Sequence, residues 1–191
     1  MSDIQLKAIE LLLEASIWCS DQEEYEAILS RVKGMLEPHV RSGAPRALWI
    51  KARLPGLGED QPLSDEDLDT KWRALIRESA DGGCAEAQYR HGCNLYEEKR
   101  YVDALRYYQM SADQEYAPAL WCLGIDTLNG TGVAKDESKA VRLIRCAAQR
   151  HDENAIRFMI EETRKQAFGL SGSDETIEEW EALLRYVEAR S

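Results

Sequence analysis

Ala87-Gln88-Tyr89-Arg90-His91-Gly92 and Ala119-Leu120-Trp121-Cys122-Leu123-Gly124 lie 32 residues apart, and both carry an alanine, an aromatic ring two positions on and a glycine three further. Downstream, Ala104 realigns on Ala140, and Ser111-Ala112 on Ala147-Ala148, at a spacing of 36. Periods of this length belong to two-helix repeats, in which each unit buries its apolar face against its neighbours. Such an array displays an extended surface rather than one catalytic cleft, which points to binding.

The richest segment is Gly130-Thr131-Gly132-Val133-Ala134-Lys135-Asp136-Glu137-Ser138-Lys139-Ala140, followed by Cys146-Ala147-Ala148. Small residues at facing positions let two helices approach closely while larger ones fill the space around them. The two glycines suit a turn needing positive φ, and Asp136 can cap the helix that follows.

This combination resembles the Sel-1-like repeat, a relative of the tetratricopeptide repeat, on Ala119, Leu123, Gly124, Gly130, Gly132, Val133, Asp136, Lys139, Ala140, Ala147 and Ala148. The unit starting at Ala87 departs from the pattern: His91 stands where Leu is expected, and Lys99-Arg100 replaces the Gly-x-Gly-Val turn, the shorter form of a plain tetratricopeptide unit. A weaker upstream copy holds Ala47-Leu48-Trp49, Trp72, Leu75, Ile76, Ala80 and Gly82-Gly83, joined by the Pro- and Gly-rich connection Pro55 to Leu63. A last copy starts at Ala155-Ile156-Arg157, with Ile160 where Gly is expected. The resemblance covers residues 44 to 168 and is strong from Ala85 to Arg150. It implies an all-α fold, an α-solenoid of antiparallel helix pairs.

Periodicity extends this reading to both ends. Ile4, Ala8, Leu11, Leu12, Ala15 and Cys19 share one helical face, and Tyr25, Ile28, Leu29, Val32 and Leu36 another. Ser20-Asp21-Gln22-Glu23 has the form of a capping box with Ser20 as the cap. Pro38 is expected to end that helix, Pro45 to open the next, and Ser64 with its acids the one after. Gly169 to Ser173 reads as a flexible break, and Ile177, Trp180, Leu183, Leu184 and Val187 line one face of a terminal helix. The expected organisation is about ten helices: a cap pair over residues 1–43, repeats over 44–168 and a capping helix in 169–191.

Composition narrows the function classes. The net charge of −11 disfavours nucleic acid, whose phosphates need Lys and Arg, and anionic membrane surfaces. It suits solubility, and it also suits a basic partner. No stretch is long and apolar enough to span a bilayer. Met1 to Lys7 has no basic region of a leader, and Leu11-Leu12-Leu13 is followed at once by Glu14, so the chain reads as cytoplasmic. The five cysteines, Cys19, Cys84, Cys93, Cys122 and Cys146, form no Cys-x-x-Cys pair and read as reduced packing residues.

No catalytic constellation emerges. His39, His91 and His151 stand apart, with no His-x-x-x-His or His-Glu-x-x-His spacing. His91 sits at a core position of its repeat and reads as a buried neutral histidine. Gly130-Thr131-Gly132 lacks the Lys-Ser/Thr of a phosphate loop. No metal, cofactor or catalytic residue is expected.

The resemblance to tetratricopeptide-like arrays implies that the first helix of each pair lines a concave side. The groove positions would be Glu86, Tyr89, Cys93 and Tyr96, then Trp49 and Arg53 upstream, Trp121 and Ile125 downstream, and Arg157 and Glu161 beyond. Trp49, Tyr89 and Trp121 fall in one column, flanked by Arg53 and Arg157. Aromatic and arginine side chains are the usual anchors of protein partners; for each ring alone, packing between neighbouring repeats is the favoured reading. The expected function is a non-enzymatic interaction module, an adaptor or scaffold holding a protein or peptide. A dedicated inhibitor, such as an immunity protein that occludes a bacterial toxin, is the second reading, and a small helical enzyme or ligand carrier the third.

Overall fold

The computed structural model describes residues 3–17, 20–54, 64–168 and 176–190. The expectations about Cys19, the Pro55–Leu63 connection and the Gly169–Ser173 break lie outside the described residues. Within them the chain is helical: α1 (Asp3–Ile17), α2 (Gln22–Arg41), α3 (Pro45–Ala52), α4 (Asp65–Asp81), α5 (Ala85–Glu97), α6 (Tyr101–Ala112), α7 (Ala117–Asn129), α8 (Glu137–Gln149), α9 (Glu153–Arg164) and α10 (Ile177–Glu188). It divides into two compact units, residues 1–87 and 88–191.

Short polar side chains start these helices by accepting N–H groups that have no partner in the first turn. Asp136 accepts from Lys139 at 2.8 Å, Asp152 from Ala155 at 2.9 Å and Ser64 from Asp67 at 3.2 Å. Thr176 and Glu179 form a reciprocal capping box at the start of α10. Pro45 occupies the first turn of α3, as expected. Two boundaries differ from the sequence reading. The cap of α2 is Asp21, which accepts from Glu24 at 2.9 Å, rather than Ser20. Pro38 lies inside α2, three residues before its end. Residue 34, one turn before the proline, is a glycine, and a Cβ there would meet nothing within 4 Å.

One turn recurs at the end of α2, α4, α6 and α8. A residue with positive φ follows the helix, and the next N–H reaches back five residues. The residues are Gly43, Gly83, Glu115 and His151, with φ of +70°, +102°, +62° and +68°. The reaching bonds are Ala44 to His39, Cys84 to Ser79, Tyr116 to Ser111 and Asp152 to Ala147, all 3.1–3.3 Å. Each turn is followed within two residues by the next helix, which sets the repeat. Lys99, between α5 and α6, uses the same geometry with φ of +62°.

The repeat shows most clearly in unit 2. A Cβ on Gly92 would lie 2.6 Å from the Tyr108 ring and 3.3 Å from the Ala104 carbonyl oxygen. A Cβ on Gly124 would lie 2.7 Å from Ile144 Cγ1 and 3.3 Å from the Ala140 carbonyl oxygen. The same contact is therefore built twice, on α5 against α6 and on α7 against α8. Ala119, Ala140, Ala147 and Ala148 are fully buried beside these contacts. Gly130 and Gly132 have φ of +76° and +68°, and Gly132 also lies against Tyr101 and Leu105 of α6. In α9, Ile160 fills the space a glycine would leave, and Trp180 of α10 joins the same core. His91 is half-buried rather than fully buried. Its ring stands edge-on to Tyr107 at 4.5 Å, because Gly92 makes the helix contact.

Unit 1 has its own core of Ile9, Val32, Leu36, Ala47 and Ile50. Ser79 donates to the Pro45 carbonyl at 2.6 Å and ties α3 to α4. Arg46 pairs with Glu10 at 2.7 Å and with Glu86. Among the described residues, no helix is long and apolar enough to cross a membrane.

Candidate functional site

Tyr89, Cys93 and Tyr96 fall on one face of α5 at the i, i+4, i+7 spacing that stacks side chains along a helix. Trp121, Cys122, Ile125 and Asp126 share a face of α7 as two adjacent i, i+4 pairs. Tyr108 reaches between them from α6. Cys93, Tyr96, Tyr108, Trp121, Cys122, Ile125 and Asp126, with Glu97 at the rim, enclose an open hollow of about 330 Å³ within unit 2. That volume lies at the lower end of the roughly 300–1,000 Å³ of small-molecule pockets.

The walls are aromatic and their positions are fixed by neighbours. The Trp121 ring stands edge-on to Phe158 of α9 at 5.9 Å, and Phe158 stacks on Phe168 at 6.3 Å. Tyr96 packs edge-on to Tyr101 at 4.8 Å. Behind the hollow, Tyr89 lies against Tyr108 at 6.0 Å and Tyr116 at 5.6 Å. Tyr108 donates its hydroxyl to Cys93 Sγ at 3.6 Å.

The electrostatics are one-sided. Asp126 is only 4% exposed. Burial pushes its carboxyl up to about 6, against a hydrogen bond from the Tyr96 hydroxyl that favours the carboxylate. Thr131 in turn hydrogen-bonds Tyr96. Burial, with Cys93 and Asp126 nearby, pushes the Cys122 thiol up to about 12. Burial and the Cys93 thiol likewise raise the Tyr89 and Tyr108 hydroxyls above the usual phenol range. At neutral pH the Cys122 thiol and these phenols are uncharged, while Asp126 is mostly ionised. None of the described residues that line the hollow is a lysine, arginine or histidine. A protonated thiol is a weak nucleophile, so nothing here activates Cys122. Among the described residues, no three of His, Cys, Asp and Glu gather in a group that could hold a metal ion.

Of the groove positions singled out in the sequence, Cys93, Tyr96, Trp121 and Ile125 line this hollow and Tyr89 packs against Tyr108 beside it. Arg157 points elsewhere: it pairs with Glu153 at 2.8 Å and with Glu188 of α10 at 2.6 Å. Its sequence neighbour Phe158 is the α9 residue that meets Trp121. Trp49 and Arg53 belong to unit 1. Trp49 is half-buried on α3, and Arg53 lines a separate hollow of about 540 Å³ with Leu13, Asp21, Tyr25 and Leu29. Glu86 is held by Arg46. The sequence reading did not place Tyr108 or Asp126 in a site, and it took Cys122 for a packing residue only. The repeat itself carried one signal for Asp126: 32 residues earlier stands Asn94, which is also polar and only 4% exposed.

No protein-family model matches the chain. Solved structures resemble it, two of them as follows. A Sel1 repeat protein from Oxalobacter formigenes superposes with a TM-score of 0.67 at 18% identity, over 95% of this chain and 71% of that one. The protein c5321, a protective antigen present in uropathogenic Escherichia coli strains and displaying an SLR fold, superposes with a TM-score of 0.61 at 18% identity. That match covers 98% of this chain but only 41% of the other, so the chain spans about two-fifths of its length. Together with the repeated Gly92 and Gly124 contacts, these likenesses show that the chain has the Sel1-like repeat fold, an α-solenoid built from helix pairs.

Proposed function

We propose that the protein is a non-catalytic interaction module that holds a protein or peptide partner, with the hollow of unit 2 as its anchor point. The observation that carries this reading is the pair of half-buried aromatic walls, Trp121 and Tyr96, around a concave site of about 330 Å³. Fixed aromatic side chains at the centre of a concave patch have the character of interface hot spots. The raised Cys122 thiol and the absence of a nucleophile–base pair among the described lining residues support binding over catalysis. Tyr89 and Arg157 of unit 2 belong to the same proposal, with Arg157 at its edge because Glu153 and Glu188 already engage it, and Trp49 and Arg53 are proposed as partner anchors within unit 1. A cytoplasmic setting is part of the reading and is supported by the free thiols of Cys84, Cys93, Cys122 and Cys146.

A second reading, a dedicated inhibitor of a basic protein, draws on the net charge of −11. The two readings differ in stringency: an adaptor takes several peptides weakly, whereas an inhibitor takes one protein tightly. The test is affinity capture with the wild-type protein and with Trp121→Ala and Tyr96→Ala variants as baits. The proposal expects a partner retained by wild type and lost from both variants while their melting temperatures stay near wild type. Equal recovery on all three baits would refute the site.

A further inference from the structure

We propose that the hollow of unit 2 receives a basic side chain, arginine or lysine, from the partner, seated between the aromatic walls with its cation at the Asp126 carboxylate. This rests on the reading of the hollow as the docking site and adds the chemistry of what enters it.

Three observations lead to the occupant. First, Asp126 lines the hollow yet is 96% shielded from solvent, and among the described residues the Tyr96 hydroxyl is the one group that hydrogen-bonds its carboxylate. Among the described residues no cation pairs with it, although its chain forms ion pairs freely elsewhere, as Arg100 does with Asp103 at 2.7 Å. Buried carboxylates are costly unless paired. Second, among the described lining residues the only other charged one is Glu97, so both charges there are negative. Third, the walls are Trp121 and Tyr96, whose ring faces attract cations, while Ile125 and Cys122 offer apolar surface to the methylene stem of a long basic side chain. An apolar occupant would use the walls but leave Asp126 buried and unpaired. An acidic one would be repelled by both carboxylates.

The test uses the full-length protein labelled with 15N at tryptophan, with the Trp121 indole signal assigned through Trp121→Phe. Three probes are titrated at pH 7.5 and 50 mM salt: N-acetyl-arginine amide, N-acetyl-citrulline amide and N-acetyl-leucine amide. Citrulline keeps the shape of arginine and lacks its charge. The proposal expects the arginine probe to shift the Trp121 indole saturably and to bind at least 10-fold more tightly than the citrulline probe. In Asp126→Asn that preference should fall to less than 3-fold. The wild-type comparison stands by itself if the Asn variant does not fold. Equal binding of arginine and citrulline, or tighter binding of leucine, overturns the basic occupant while leaving the hollow as a docking site. If no probe moves Trp121, the basic occupant is overturned. The docking site falls with it only if a captured partner also ignores Trp121→Ala.

Discussion

Asp126→Asn should make the free protein more stable at neutral pH, and the gain should vanish in acid. The carboxyl titrates at about 6 in the folded chain, against an ordinary 3.8, because burial disfavours its charge. At about 1.4 kcal/mol per pH unit, holding it ionised costs the folded state about 3 kcal/mol. Below the ordinary value both folded and unfolded chains are protonated, so the cost is absent. Between pH 4 and 6 only the folded chain holds the proton, and stability falls as pH rises. Above about 6 the full cost is present. Asn keeps an acceptor for the Tyr96 hydroxyl, but its N–H₂ group needs partners of its own, worth about 1–2 kcal/mol. The net gain at pH 7 is therefore about 1–2 kcal/mol. Tyr96, Tyr108 and Cys122 face Asp126, and all stay protonated throughout this window, while Glu97 at the rim is common to both proteins. Urea unfolding of both proteins at pH 4.5 and pH 7.5 measures the difference. A gap that does not change with pH, or an Asn variant less stable at pH 7.5, would refute the burial argument.

Other expectations follow from the packing. Gly124→Leu should destabilise by about 1–3 kcal/mol, since even a Cβ there meets Ile144 Cγ1 at 2.7 Å within a fully buried contact. Gly34→Ala, with nothing within 4 Å of the new Cβ, should instead stabilise by about 1 kcal/mol through helix propensity; denaturant melts on the two variants should move in opposite directions. Lys99→Gly should stabilise by about 0.5–1 kcal/mol, because the left-handed φ of +62° strains a lysine more than the added chain entropy of glycine costs. An unchanged melting temperature would place the strain elsewhere.

Much of the fold was legible because close approach leaves chemical marks. Only small residues tolerate the contact at Gly92 and Gly124, so the repeat shows as Gly and Ala at fixed spacing. Asp136, Ser64 and Pro45 start helices where their side chains predict, since capping is local. The turns at Glu115 and His151 left no such mark: neither is glycine, and their positive φ is enforced by helices on both sides. Asp21 took the capping role from its neighbour Ser20, a one-residue choice that depends on where the helix axis begins. In the site, Tyr96 and Trp121 could be placed from the repeat register alone. Asp126 could not, because in so acidic a chain a carboxylate is unremarkable until its burial is known. Arg157 and Phe158 are adjacent in sequence, and only tertiary packing decides that Phe158 faces Trp121 while Arg157 reaches Glu188.

The central claim is that the hollow between α5, α6 and α7 anchors a protein partner. Its most direct test is the dissociation constant of the captured partner for wild type and for Trp121→Ala, measured by titration calorimetry on variants shown to be folded. A hot-spot ring is worth about 2 kcal/mol or more, which corresponds to at least about 30-fold weaker binding. An affinity within about threefold of wild type would contradict the claim and move the interface away from this hollow.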